Sequence, residues 1–111
     1  MALSKEGDLY GWGSNYYGQL GMANLKEVAS PTKIRSIQFP SKIVGLGCGE
    51  NHSMVLLSNH SLYCFGHNRL GQLGIGNTNN TFIPTKVDGI PHNILQIKCA
   101  NCHSMIISSN N

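Results

Sequence analysis

The sequence predicts an all-β fold made of four-stranded antiparallel blades, two repeats of a β-propeller. Three observations predict it. Most of the chain recurs at an offset of 53 residues, its apolar segments have the length of strands, and each unit holds one glycine-rich loop. Composition agrees. Hydrophobic residues make up 41% of the 111 residues and charged residues only 12%, while Gly occurs 13 times. A coiled coil needs far more Glu, Lys, Leu and Ala, and a disordered chain carries more charge and less Ile, Leu and Val.

The repeat can be read off position by position. Leu9–Gly21 aligns with Leu62–Gly74, with eight of the thirteen positions identical. Pro31-Thr32-Lys33-Ile34 matches Pro84-Thr85-Lys86-Val87 at the same offset. After a two-residue difference in loop length, Pro40 pairs with Pro91, Cys48 with Cys99, and His52-Ser53-Met54 with His103-Ser104-Met105. Met1 and Leu3 fall on Met54 and Leu56, so the units run over about 1–53 and 54–106, cut in phase inside a strand.

Each unit offers four strands. Ile43–Cys48 and Ile94–Cys99 are short apolar runs with partial alternation, and Ser53–Leu57 and Ser104–Ser108 follow across a tight connection. Leu9–Trp12 and Leu62–Phe65 form the third strand. The fourth begins at Pro31 and near Pro84, where a missing N–H suits an edge. A helix is excluded, because no window of eleven residues holds a 3.6-residue period free of Gly or Pro.

The marked residues read as structural. Gly18, Gly21, Gly71 and Gly74 shape a tight loop, Gln19 and Gln72 bond backbone groups in it, and Leu20 and Leu73 plug the core. A phosphate cradle would need a following helix, and none is predicted. His52 and His103 recur once per unit, which suits a turn-fixing hydrogen bond better than a catalytic base. Cys99-Ala100-Asn101-Cys102-His103 has the spacing of a haem attachment motif, but the repeat already accounts for Cys99 and His103. A zinc site there lacks a fourth ligand at standard spacing. No catalytic residue, metal or cofactor is therefore expected. The net charge of +3, with no basic run, does not point to nucleic acid. No run of eighteen apolar residues and no signal-peptide core are present, so a cytoplasmic or nuclear location is expected.

Tyr16, Tyr17 and Arg69 lie in the polar loops and are the candidate partner-binding residues, since Tyr and Arg anchor interfaces. Packing of Tyr16 and Tyr17 on a neighbouring blade is the competing expectation.

Trp12-Gly13, Asn15, Gly18-Gln19-Leu20-Gly21, Pro31, Cys48-Gly49 and His52 recur as Phe65-Gly66, Asn68, Gly71-Gln72-Leu73-Gly74, Pro84, Cys99 and His103. In these motifs the chain resembles the regulator of chromosome condensation repeat family, departing from it at Ala100. The resemblance implies a propeller that usually has seven blades. It also implies one of three roles: guanine-nucleotide exchange on a small GTPase, a partner-binding module as in a ubiquitin ligase, or light sensing. Exchange in the family uses an inserted β-wedge, for which the near-constant repeat spacing leaves no room in this segment. Light sensing uses clustered Trp, and only Trp12 is present. The expected function is a non-enzymatic protein-interaction segment, with exchange-factor or ubiquitin-ligase context as the alternative. Two units leave open strand edges, so self-association is expected of the chain alone. Identical copies supplying two blades each can close only even-bladed rings, of three or four copies.

Overall fold

The computed structural model describes residues 1–109. Nine strands follow in order: β1 (Ala2–Leu3), β2 (Leu9–Gly13), β3 (Val28–Lys33), β4 (Ile43–Cys48), β5 (His52–Leu57), β6 (Leu62–Gly66), β7 (Thr81–Lys86), β8 (Ile94–Ala100) and β9 (His103–Ser108). Among the described residues there is no helix, and therefore none long and apolar enough to cross a membrane.

The strands form three antiparallel sheets, β1-β2-β3, β4-β5-β6-β7 and β8-β9. The central one is a complete blade, flanked by the later strands of one blade and the first two of another. Each predicted strand is present, with bounds within one residue of the prediction except in the fourth strand. The fourth strand starts at Val28 and Thr81, three residues before its proline. Pro31 and Pro84 thus lie within β3 and β7, tolerated because both strands are sheet edges and one side of their backbone is unpaired.

The central blade shows why its strands are so apolar. Every residue of β5 and β6 is buried, whereas β9, the repeat equivalent of β5, alternates between exposed and half-buried. Successive strand side chains point to opposite faces. Met54 and Leu56 accordingly join Leu62, Cys64, Ile94 and Ile97 in a cluster against the third sheet. Val55 and Leu57 join Leu9, Ile34, Tyr63 and Phe65 in a cluster against the first. Sheet-on-sheet contact, not the interior of any one sheet, is the core.

Antiparallel order sends the 14–27, 49–51, 67–80 and 101–102 connections to one end of the sheets. Backbone bonds tie them together there, from Ala23 N to Phe82 O (3.0 Å), from Glu50 N to Asn101 O (3.0 Å) and from His67 N to Asn51 O (2.9 Å).

Candidate functional site: the loop face

Two long loops dominate that end, residues 14–27 and 67–80, and each is built around one buried asparagine. Asn68 is fully buried. Its amide donates to Asn77 O (2.9 Å) and Asn79 O (2.8 Å), while its Oδ1 accepts from Leu73 N at 3.0 Å. Asn15 repeats the pattern, donating to Asn24 O (2.8 Å) and accepting from Leu20 N (3.0 Å). A long polar loop is held from within, so it presents a defined surface.

The glutamines act on the backbone of the same loops. Gln19 Oε1 accepts from Tyr17 N at 2.9 Å, and Gln72 Oε1 accepts from Leu70 N at 3.0 Å. Each glutamine pins the backbone of the residue two positions before it, as the sequence led us to expect.

The glycines set the spacing between units. A Cβ on Gly18 would sit 2.7 Å from Thr81 O, and one on Gly21 would sit 3.1 Å from the Phe65 ring. Both have positive φ, 82° and 67°. Only glycine meets both demands, so the first loop can press against β6 and β7 of the next unit.

Tyr16 and Tyr17 have different fates. Tyr16 is 72% exposed. Tyr17 is half-buried, its ring edge-on to His67 of the second unit with centroids 4.6 Å apart, and Tyr16 stacks edge-on to Tyr17 at 5.1 Å. The neighbour-packing expectation therefore describes Tyr17, and exposure describes Tyr16. Arg69 is exposed, and beside it a shallow groove is lined by Thr78, Asn79, Asn80 and Phe82. It occupies the position in its loop that Tyr16 occupies in the other, so the three candidates lie in two equivalent loops, bridged by the Tyr17–His67 contact.

The sequence reading missed three residues. Leu70, 71% exposed, is the repeat equivalent of Tyr17, and Leu25 is 48% exposed. His67 supports Tyr17 and accepts from Gln72 Nε2 at 2.8 Å. Their signal was an apolar or aromatic residue at a loop position that the neighbouring repeat fills differently.

The histidine at the blade joint is structural. His52 is 1% exposed, with Nε2 2.9 Å from Ser104 Oγ and 3.2 Å from His103 O. Ser104 Oγ donates to Gln72 O at 2.6 Å, so its lone pair must accept from His52 Nε2–H. That assignment leaves Nδ1 bare, buried and without a partner. Burial, then the neighbouring His67 and His103, holds its pKa below the usual 6.5, against the raising effect of the His103 carbonyl. The unfolded chain titrates near 6.5, so this stability is complete above that pH. It falls as pH drops below, because the unfolded chain takes up a proton the folded joint resists. The unfolding temperature should therefore drop more steeply from neutral pH to about 5 in the wild type than in His52→Gln. Parallel profiles would refute this assignment.

The thiols of Cys64 and Cys99 are not activated. Burial, then the Cys99 charge, pushes Cys64 up to about 12; burial and Cys48 push Cys99 up to about 11, against the Ser104 hydrogen bond. Among the described residues no three His, Cys, Asp or Glu side chains are grouped to hold a metal ion. Cys99 lies near the end of β8 and Cys102 in the two-residue β8–β9 turn, so the haem-like spacing is that of a hairpin.

Comparison with known proteins agrees with this geometry. The family model described as the regulator of chromosome condensation (RCC1) repeat matches residues 6–56 and 59–107. The chain is 36% identical over 108 residues to the protein RCC2 homolog of Danio rerio, covering 96% of this chain and 22% of that protein. It is 34% identical over 110 residues to the X-linked retinitis pigmentosa GTPase regulator homolog of Caenorhabditis elegans, covering 97% of this chain and 8% of that one. Among solved structures, Prp20p from Saccharomyces cerevisiae superposes with a TM-score of 0.87 at 24% identity, covering 98% of this chain and 28% of that one. The chain thus spans under a third of each of these proteins. Its two matched repeats, its blade topology and its asparagine-braced loops place the chain in the regulator of chromosome condensation repeat family.

Proposed function

We propose that the chain is a non-enzymatic, protein-binding segment of a nuclear or cytoplasmic propeller, and that the loop face is its docking surface. One observation carries this reading. The face combines exposed Tyr16, Leu70, Leu25 and Arg69 with loops braced internally by Asn15 and Asn68. Interfaces favour aromatic residues and Arg and are depleted of other charge. Apart from Arg69, the connections at this end carry only Lys26, Glu27 and Glu50, while the opposite end holds Lys5, Glu6, Asp8, Arg35, Lys42 and Asp88. Bracing also lowers the ordering cost of binding.

A small GTPase is the partner we favour for the first test, because a relative named as a GTPase regulator aligns over nearly the whole chain. In that setting the segment binds and the exchange chemistry belongs to a longer protein. Tyr16→Ala combined with Arg69→Ala should reduce partner capture at least about tenfold while leaving the unfolding transition in place. Capture by immobilised chain, followed by mass spectrometry of what the wild type retains and the variant loses, checks this. Equal capture by both chains would remove the loop face as the docking surface.

A further inference from the structure

We propose that the second loop of the loop face is gated by proton uptake at His67: the neutral imidazole holds the Gln72 brace in place, and the protonated ring releases it. The consequence for docking rests on the reading of the loop face given above, whereas the gate itself can be read without a partner.

Hydrogen-bond chemistry fixes each role at this point. The Leu70 amide can only donate, so the Gln72 atom 3.0 Å from it is the carbonyl oxygen Oε1. Nε2 lies at the other end of the same planar group, 2.8 Å from His67 Nδ1. Nε2 also can only donate, so Nδ1 must accept, and the neutral ring carries its proton on Nε2. A second proton has no place but Nδ1. It would set two donors 2.8 Å apart with no acceptor between them. Turning the Gln72 amide over offers Oε1 to the imidazolium, but it then aims Nε2 at the Leu70 amide, donor against donor. Either way one bond of the brace is lost, and the backbone beside Arg69 is freed.

The first unit is the same device without the switch. Gln19 Oε1 accepts from Tyr17 N at 2.9 Å, as Gln72 does from Leu70 N, but its Nε2 faces Asn51 Oδ1 at 3.5 Å. The repeat position of His67 is Ser14. Neither a carboxamide nor a serine takes up a proton, whereas histidine is the side chain whose charge ordinarily changes near neutral pH. The two loops should therefore differ in their response to acid.

The surroundings of His67 leave that proton to the brace. His67 is half-buried, with the Tyr17 ring edge-on at 4.6 Å and its own N–H donating to Asn51 O at 2.9 Å. Glu50, beside Asn51, is exposed, and among the described residues no carboxylate is ion-paired with His67. From the blade joint the titratable groups are His52 and, beyond it, His103; burial above all keeps the His52 pKa below the usual 6.5. Arg69, two residues on in the same loop, adds like charge. No negative group offsets the new charge, which leaves the Gln72 oxygen to take up the Nδ1 proton.

Nuclear magnetic resonance of the 111-residue chain tests the gate directly. At about pH 8 the long-range proton–nitrogen spectrum should show His67 in its Nε2–H form. From about pH 8 to about pH 5 the Leu70 amide, corrected for intrinsic exchange, should lose about two- to tenfold in protection, the worth of one net hydrogen bond. That loss should follow the His67 titration, while the Tyr17 amide, braced by Gln19, keeps its protection. In His67→Gln, whose side chain can accept but does not titrate, Leu70 should stay protected throughout. An Nδ1–H tautomer overturns the inference, as does a Leu70 amide indifferent to the His67 titration. A Tyr17 amide that loosens equally overturns it too, since that would report the joint at His52, and so does a loss that persists in His67→Gln. Should the variant unfold, the comparison of Leu70 with Tyr17 in the wild type decides. Partner capture should weaken over the same range in the wild type and not in His67→Gln. Constant capture by a chain whose Leu70 amide responds would remove the loop face as the docking surface and leave the gate standing.

Discussion

Asn68→Ala should lower the stability of the chain by about 2–4 kcal/mol and release the 67–80 loop. The side chain is fully buried and makes bonds in three directions, to Leu73 N, Asn77 O and Asn79 O. Alanine fills none of those roles. Leu73 N then faces a buried void with no acceptor, and a buried orphaned donor costs about 1–3 kcal/mol by itself. The two carbonyls lie in an exposed stretch and recover part of their loss by meeting water, which keeps the total below the sum of three buried bonds. Hydrogen exchange checks this residue by residue: the Leu73 amide should be protected in the wild type and exchange freely in the variant. Asn59→Ala is the matched control. Asn59 Oδ1 accepts from Ser61 N at 3.0 Å in an exposed turn, and its loss should cost under about 0.5 kcal/mol. Similar costs at the two sites would mean that Asn68 does not organise its loop. The consequence for function is direct, because Arg69 and Leu70 are displayed by that loop.

Phe65→Ala should cost about 3–5 kcal/mol, while Trp12→Ala, the same repeat position, should cost under about 1 kcal/mol in the monomer. Phe65 is fully buried in the cluster with Leu9, Ile34, Val55, Leu57 and Tyr63, and its ring lies against Gly21. Removing it opens a cavity at the contact between two sheets. The walls are strands tied by register, so they cannot collapse into it. Trp12 is 42% exposed and has no second sheet over it in the single chain. Denaturant unfolding at dilutions where the chain is monomeric compares the two. Equal losses would show that the repeat position, not its tertiary neighbour, sets the energy.

Much of this was legible in the sequence because a repeat reports the same physics twice. The strands followed from apolar runs of strand length, and the role of the glutamines followed from their place between glycines. Other features were harder to see. Asn15 and Asn68 stood in the sequence as family letters, since nothing local says that one side chain will bond carbonyls nine and eleven residues ahead. The early start of β3 and β7 was hidden by their prolines, whose edge position decides that a strand continues through them. Tyr16 and Tyr17 are adjacent and identical in type, yet one is exposed and the other rests on His67, a residue fifty positions away.

By itself, then, the sequence determined what one unit is: four strands in antiparallel order, one glycine-rich loop, and the periodicity that makes both faces of a blade apolar. Those properties depend on residue type and short-range spacing, which any chain fragment carries. Only the tertiary structure decided which copy of each repeated residue is buried. Met54 and Met105, Leu56 and Ile107, Phe65 and Trp12 occupy equivalent positions, and they differ in whether another sheet lies over them. In a stack of blades the burial of a side chain belongs to its neighbour as much as to its own strand.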